Sequence, residues 1–267
     1  MPDQRDTQRY AKKRAKTANW PKKKRGAAFR RFRRKVRRIG DTVPNPGPDL
    51  SMWNVGIDWD KAAEHSDFVF LKASEGRSWE DPTLVERVDL ARQAAQREGL
   101  IVGYYHFARP DNNPPRTEAR HFVKTVREAG GYLGPQRRGL LRRDEMPGVL
   151  DYEVYHPTKK DEHWISEWVD EYEKITGHQP IIYGGHVLRE RTTTNFGGCP
   201  LWLAAYVPEL SPALLPEGWW KAGPTFWQYT DGKVPADPAG PAECPGVGPC
   251  DMNFYRGDRR HLLKLAI

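Results

Sequence analysis

Gly148-Val-Leu-Asp-Tyr-Glu153 is a short apolar run that closes on two carboxylates. In an extended strand residues i and i+2 project from one face, so Asp151 and Glu153 present their side chains to the same side, about 6 to 7 Å apart along the chain. Active sites collect at the C-terminal ends of barrel strands, which is where such a run would deliver its acids. Neighbouring carboxyls push their pKa values apart, so one keeps a proton near neutrality while the other stays ionised. Cleavage of a glycosidic bond needs that division of labour. A lone Asp-x-Glu is more often a polar strand end making surface ion pairs, so its surroundings decide.

Working outward, runs rich in β-branched and aromatic residues alternate with helical patterns, the order that a parallel sheet with crossover helices requires. The expected strands are Phe68 to Lys72, Leu100 to Phe107, Gly148 to Glu153, Pro180 to Tyr183, Leu201 to Tyr206, Thr225 to Tyr229 and Asp251 to Phe254, with a short one near Asp49. Helical length and period mark Pro82 to Glu98, Arg116 to Gly130 and Lys159 to Gly177. Helical crossovers fade after residue 195, where loops rich in Pro and Gly take over. The expected architecture is an irregular TIM-like α/β barrel, (β/α)5(β)3, over residues 49–267.

Aromatic residues crowd the expected strand ends: Tyr104, Tyr105, His106, Tyr183, Trp202, Tyr206, Trp227 and Tyr229. Aromatic faces stack on sugar rings, whereas a core built for stability alone favours aliphatic side chains without a polar tip. Tyr104, His106, Glu75, Tyr183, Trp202, Tyr206, Trp227 and Gln228 are therefore candidate substrate contacts. A strand histidine between aromatics is more often a hydrogen-bonded wall residue, and Glu75 and Lys72 either touch substrate or pair with each other. No cluster of His, Asp and Cys has metal-ligand spacing, and no Gly-rich loop follows a strand as phosphate binding requires. No cofactor is expected.

Eight motifs in chain order carry a resemblance. They are Asp49-Leu-Ser51, Phe68-Val-Phe-Leu-Lys-Ala-Ser-Glu-Gly76, Gly103-Tyr-Tyr-His-Phe-Ala-Arg-Pro110, Leu150-Asp-Tyr-Glu153, Ile182-Tyr-Gly184, Leu201-Trp-Leu-Ala-Ala-Tyr206, Phe226-Trp-Gln-Tyr-Thr230 and Asp251-Met-Asn-Phe254. Together they resemble the glycoside hydrolase family 25 lysozymes, the Chalaropsis type. The resemblance implies a barrel of eight strands with five helices, and cleavage of the β-1,4 bond between N-acetylmuramic acid and N-acetylglucosamine in peptidoglycan. It implies Glu153 as acid/base, Asp151 as the carboxylate that orients the substrate's acetamido group, and Asp251 as a third acid. For the first strand, Asp49 to Trp59 reproduces the family's opening stretch without a gap, which makes Asp49 the strand aspartate and Asp58 a helix N-cap. A Gly-Pro pair precedes Asp49 where the family has Gly-Ile.

Charge is divided unevenly. Residues 1–40 carry 17 Lys or Arg against 2 Asp, a charge of +15, while the remainder carries −7 of the total of +8. Phe29, Phe32, Val36 and Ile39 recur at helical spacing among Arg30, Arg31, Arg33, Arg34, Lys35, Arg37 and Arg38, the pattern of a cationic amphipathic helix. Such an arm suits an anionic envelope surface or nucleic acid, or a phage virion protein. Residues 41–48, dense in Pro and Gly, are expected to be a linker. No apolar run is long enough for a membrane span, and no apolar secretory signal begins the chain, so release by a phage holin or delivery with a virion is expected. Cys244 and Cys250 bracket a Pro/Gly loop that a disulfide could close in an oxidising medium. The rival readings are a wall-binding or virion structural protein that keeps the fold without turnover, and a nucleic-acid-binding protein, against which the acidic domain speaks.

Overall fold

A computed structural model describes residues 45–134, 145–233 and 240–267. The arm, residues 1–40, lies outside the described residues. Eight strands close a barrel: β1 (Asn45–Leu50), β2 (Phe68–Glu75), β4 (Ile101–Phe107), β5 (Val149–Asp151), β6 (Ile181–Gly184), β7 (Leu201–Ala204), β8 (Phe226–Thr230) and β11 (Asp251–Tyr255). Two-residue β3 (Trp79–Glu80) forms a hairpin with β2, and β9 (Glu243–Cys244) pairs with β10 (Gly248–Pro249) outside the barrel. Neighbouring barrel strands run parallel from β1 round to β8. The last, β11, runs antiparallel to both β8 and β1 and closes the ring.

Among the described residues a helix follows each of the first five barrel strands: α1 (Trp59–His65), α2 (Leu84–Glu98), α3 (Pro115–Glu128), α4 (Asp161–Thr176) and α5 (His186–Arg191). Beyond Arg191 only two short 3-10 turns intervene before α6 (Arg259–Leu265), which caps the chain. The observed arrangement is the expected (β/α)5(β)3 barrel, with α1, α5 and α6 added to the three helices read from periodicity. Asp58 caps α1, its side chain accepting from the Lys61 N–H, so Asp49 is left as the strand aspartate.

The linker reading of residues 41–48 fails from Asn45 onward, because Asn45 to Pro48 are buried in β1. Proline is excluded from a sheet only where its missing N–H would have been used. Asn45, Gly47 and Asp49 alternate with Pro46 and Pro48 along the antiparallel pairing to β11. The prolines face β2, whose pairing with β1 is in register only at Asp49 and Leu50, and the Pro46 carbonyl still accepts from Asp67 N at 2.7 Å. Gly47 is required there, since a Cβ would stand 2.3 Å from the Phe68 carbonyl oxygen.

Strand alternation sorts the apolar residues into two bodies. Inside the barrel lie Phe68, Phe70, Ile101, Val149, Ile181, Tyr183, Trp202, Phe226 and Tyr255, closed below by Leu262 of α6. Between sheet and helices lie Leu71, Val102, Tyr104, Leu150, Tyr152, Ile182, Leu203, Trp227 and Tyr229, packed with Phe122, Trp164, Trp168 and Tyr172 of α3 and α4. Phe70 is the centre of the interior, stacked on Trp202 at 4.3 Å and edge-on to Phe226 at 5.2 Å. Gly103 on the adjacent strand leaves room for it, because a Cβ would meet the Phe70 ring at 2.4 Å. The aromatic packing fills the lower barrel and forms the floor of what stands above.

Candidate functional site

The C-terminal ends of the parallel strands bring four carboxyls together. Asp49 is the penultimate residue of β1, Asp151 ends β5, Asp251 begins the antiparallel β11, and Glu153 lies two residues beyond β5. Val149 and Asp151 face the interior, while Leu150 and Tyr152 face the helices. Tyr152 fixes this segment from outside, its hydroxyl donating to Asp161 at 2.9 Å and its ring lying 5.6 Å from that of Trp164.

Asp49 is held by two amides. Its Oδ2 accepts from Gln228 Nε2 at 3.0 Å and from Asn253 Nδ2 at 2.8 Å. Neither amide can turn over without losing other bonds. Gln228 Oε1 accepts the hydroxyls of Tyr183 and Tyr206, each at 2.8 Å, and Asn253 Oδ1 accepts the Trp202 indole N–H at 2.7 Å. The chain of donors therefore runs from three aromatic side chains, through two amides, to one carboxylate, and it fixes the orientation of every member.

Burial raises Asp49, Asp151 and Asp251. Asp251 is pushed up to about 8 by loss of water, then by the charges of Asp49 and Asp231, and by a hydrogen bond to Asp49 in which its own proton is shared. Asp49 is raised by burial against the pull of its Asn253, Gln228 and Asp251 hydrogen bonds, with the Glu153 charge adding to the rise. Asp151 rises well above the usual carboxylate range through burial and then the charge of Glu153, and only the Lys72 ammonium opposes it among the main causes. Its Oδ1 is buried and has no hydrogen-bond partner among the described residues. Glu153 is exposed at the mouth of this cluster and acts electrostatically on Asp49, Asp151, Tyr183 and Tyr206. The phenols of Tyr105, Tyr183 and Tyr206 are all raised, first by burial and then by these carboxylates, so each remains a donor.

An exposed acid beside buried acids, over an aromatic floor, is an arrangement for splitting polar bonds between bulky rings. The pattern of glycosyl hydrolases family 25 matches residues 48–237. The chain belongs to that family. Lysozyme M1 of Streptomyces globisporus is 30% identical over 245 residues, which span 85% of this chain and 72% of that protein. The N,O-diacetylmuramidase of Chalaropsis sp is 27% identical over 198 residues, 69% of this chain and 87% of that one. The crystal structure of the bacterial lysozyme from Streptomyces coelicolor superposes with a TM-score of 0.68 at 27% identity, covering 85% of this chain and 98% of the other.

This family 25 glycoside hydrolase gathers some of the residues singled out from sequence and disperses others. Asp49, Asp151, Glu153, Asp251, Tyr183, Tyr206 and Gln228 meet at one mouth, and Trp202 lies beneath them as floor, held by Asn253. Tyr104, His106 and Trp227 do not. Tyr104 and Trp227 point outward into the layer between sheet and helices, where the Trp227 indole donates to the Ala205 carbonyl at 2.7 Å. His106 is fully buried on that same outer face, its ring 6.0 Å from Trp168. It bonds Ser74 Oγ through Nδ1 at 2.9 Å and Glu118 through Nε2 at 2.9 Å, and burial keeps its pKa low despite the Glu118 bond. Glu75 is paired, to Lys72 at 2.8 Å and to Arg109 at 2.7 Å. Burial works against its ionisation, yet those two cations hold it below the ordinary value.

Two residues of the cluster were not among the site residues chosen from sequence, although Tyr105 was counted among the strand-end aromatics. Tyr105 shares the inward face with Ile101 and packs against the interior, its ring edge-on to Trp202. Asn253 stands two positions after Asp251, so the same i, i+2 argument that joined Asp151 to Glu153 would have found it. Strand β5 itself stops at Asp151, short of the expected Glu153, which is why the glutamate stands free at the mouth. Among the described residues no group of His, Cys, Asp and Glu is arranged to hold a metal, and no helix is long and apolar enough to cross a membrane. Cys199, Cys244 and Cys250 are all buried.

Proposed function

We propose that the enzyme is a muramidase that cleaves the β-1,4 bond between N-acetylmuramic acid and N-acetylglucosamine, with Glu153 as proton donor to the bridging oxygen. The observation that carries this reading is the juxtaposition of exposed Glu153 with buried Asp151, whose inner oxygen lacks a partner among the described residues. A buried acceptor left unpaired is costly, and an acetamido N–H of a bound sugar would satisfy it. That bond would hold the acetamido carbonyl towards the anomeric carbon, where it can assist departure of the leaving sugar. Asp49 and Asp251 share one proton and so keep a single negative charge between them, which with the acetamido group meets the positive charge growing at the anomeric carbon.

Borohydride reduction of the products tests the bond assignment. Reduced muramic acid is the expected product, and reduced glucosamine would show that the other glycosidic bond is cut.

The basic segment 1–40 is proposed as an anchor that concentrates the enzyme on a polyanionic envelope, supported by its charge of +15 against −7 for the rest of the chain. Removing it should reduce lysis of whole cells by about tenfold at low salt, while activity on purified peptidoglycan changes little. Equal loss on both substrates would count against an anchor, and recovery of the protein from purified virions would favour a virion-borne lysin.

A further inference from the structure

Beside the carboxyl cluster lies a second cavity that the cleavage reaction does not use. Strand β2 continues past Glu75 into its hairpin through Gly76, whose φ of 56° is left-handed and whose N–H donates to the Phe107 carbonyl at 3.0 Å. The hairpin faces the loop after β4, and between them is a shallow pocket of about 280 Å³ walled by Arg77, Ser78 and Trp79 on one side and by Arg109 and Asn113 on the other. Its size is near the lower end of small-ligand pockets. It opens at the same end of the barrel as the acids. Ala108, the neighbour of Arg109, donates its N–H to the Asp151 carbonyl at 2.9 Å, and Lys72, bonded to Glu75, is the cation that acts on Asp151.

The pocket is cationic. Its one carboxylate, Glu75, is already committed, with Oε2 on Lys72 and Oε1 on both Nε and Nη2 of Arg109. Arg109 thereby retains Nη1, and Arg77 is exposed and has no acidic partner among the described residues. Two guanidinium groups, a hydroxyl and an amide around an indole face form a setting for a small planar anion on a partly apolar stem.

We propose that this pocket binds a carboxylate of the peptide borne by the muramic acid lactyl group, so that the enzyme favours peptide-bearing over bare glycan. The proposal rests on the muramidase reading. In the peptide-bearing substrate the lactyl carboxyl is tied up as an amide and the sugars are uncharged, so the nearest carboxylates belong to the peptide branch. An amidase that removes the peptide leaves instead a lactyl carboxylate on the sugar, and an equal loss on both glycans would mean that the pocket reads that group. A wall phosphodiester carries the other anion that guanidinium groups bind well, and the experiment separates the two.

The full-length enzyme and its Arg77→Ala variant are compared on purified peptidoglycan with its peptides, on the same glycan after an amidase has removed them, and on wall that still carries its anionic phosphate polymer. On peptide-bearing glycan the variant should lose about tenfold in kcat/KM, through KM with kcat unchanged, as expected when ground state and transition state lose the same contact. On peptide-free glycan the two should agree within about twofold, and Arg77→Lys should recover part of the loss because the charge survives without the planar fork. Equal loss on both glycans, or none on either, would overturn the proposal. A loss seen only on phosphate-bearing wall would overturn it in favour of phosphate. Failure of the wild-type enzyme on every substrate would instead defeat the muramidase reading itself.

Discussion

Glu153→Gln lowers the rate of glycan cleavage by about 10³-fold while the protein remains folded. General acids contribute typically 10²- to 10⁴-fold, and glutamine keeps the shape of the side chain but has no proton of suitable acidity to give. Because the Glu153 side chain is exposed and accepts no hydrogen bond among the described residues, the substitution leaves none of their buried donors without a partner. The melting temperature should therefore change by less than about 2 °C, and glycan binding should persist through Tyr206 at the mouth. Turbidity clearing, reducing-end release and thermal unfolding are the measurements. Retained turnover would move the acid role to another carboxyl, and a wild-type protein that binds glycan without clearing it would support the wall-binding alternative.

Asp251→Asn makes the protein more stable at pH 8 and less active. In an unfolded chain this aspartate ionises near 3.8, whereas in the barrel it holds its proton up to about 8. Between those values the folded state binds a proton that the unfolded state has released, so each step upward in pH through the window favours unfolding. At about 1.4 kcal/mol per unit, the full window corresponds to on the order of 5 kcal/mol, which for a domain of this size is roughly 10 °C in melting temperature. Asparagine removes the ionisation and still offers an N–H to Asp49. Variant and wild type should therefore melt together near pH 4 and diverge as the pH rises to 8, by differential scanning calorimetry. A constant difference across that range would mean that Asp251 does not hold a proton in the folded protein. The activity cost is expected because an amide N–H cannot pass its proton to Asp49 as the Asp251 carboxyl can, so the pair loses its shared proton.

The fold was legible because the barrel strands after β1 are compact runs rich in β-branched, aromatic and other apolar residues, and because three crossovers are long enough to show helical period. The short helices were not, since six or seven residues, as in His186–Arg191 and Arg259–Leu265, complete too few turns to establish one. Facing was the harder question. Val149-Leu-Asp-Tyr-Glu153 declares its inward side because acids alternate with apolar residues, and Asp151 was placed correctly for that reason. Gly103-Tyr-Tyr-His-Phe107 offers no such contrast, since every residue after the glycine has an aromatic ring and either parity would bury it. A slip of one residue exchanges the two faces of a strand. Tyr104 and His106 were thus assigned to the mouth in place of Tyr105, and Trp227 was read with its neighbour Gln228 although they point to opposite sides. The prolines of Asn45 to Pro48 misled in another way, because their compatibility with an antiparallel partner depends on which edge that partner occupies, and only the closed ring reveals it.

Strand β11 meets β1 across the whole length of the molecule, so the two halves of the proton-sharing pair come from opposite ends of the folded domain. Asp49 enters the fold with the first strand and receives Asn253 and Asp251 only with the last, some two hundred residues later. Contacts of such separation in sequence are among the slowest to form. A ribosome-bound or truncated chain that lacks the final strand holds Glu153 and Asp151 but has an open seam where their opposing wall belongs. Assembly of the proposed reaction centre is thereby tied to the docking of β11, the strand that shuts the ring.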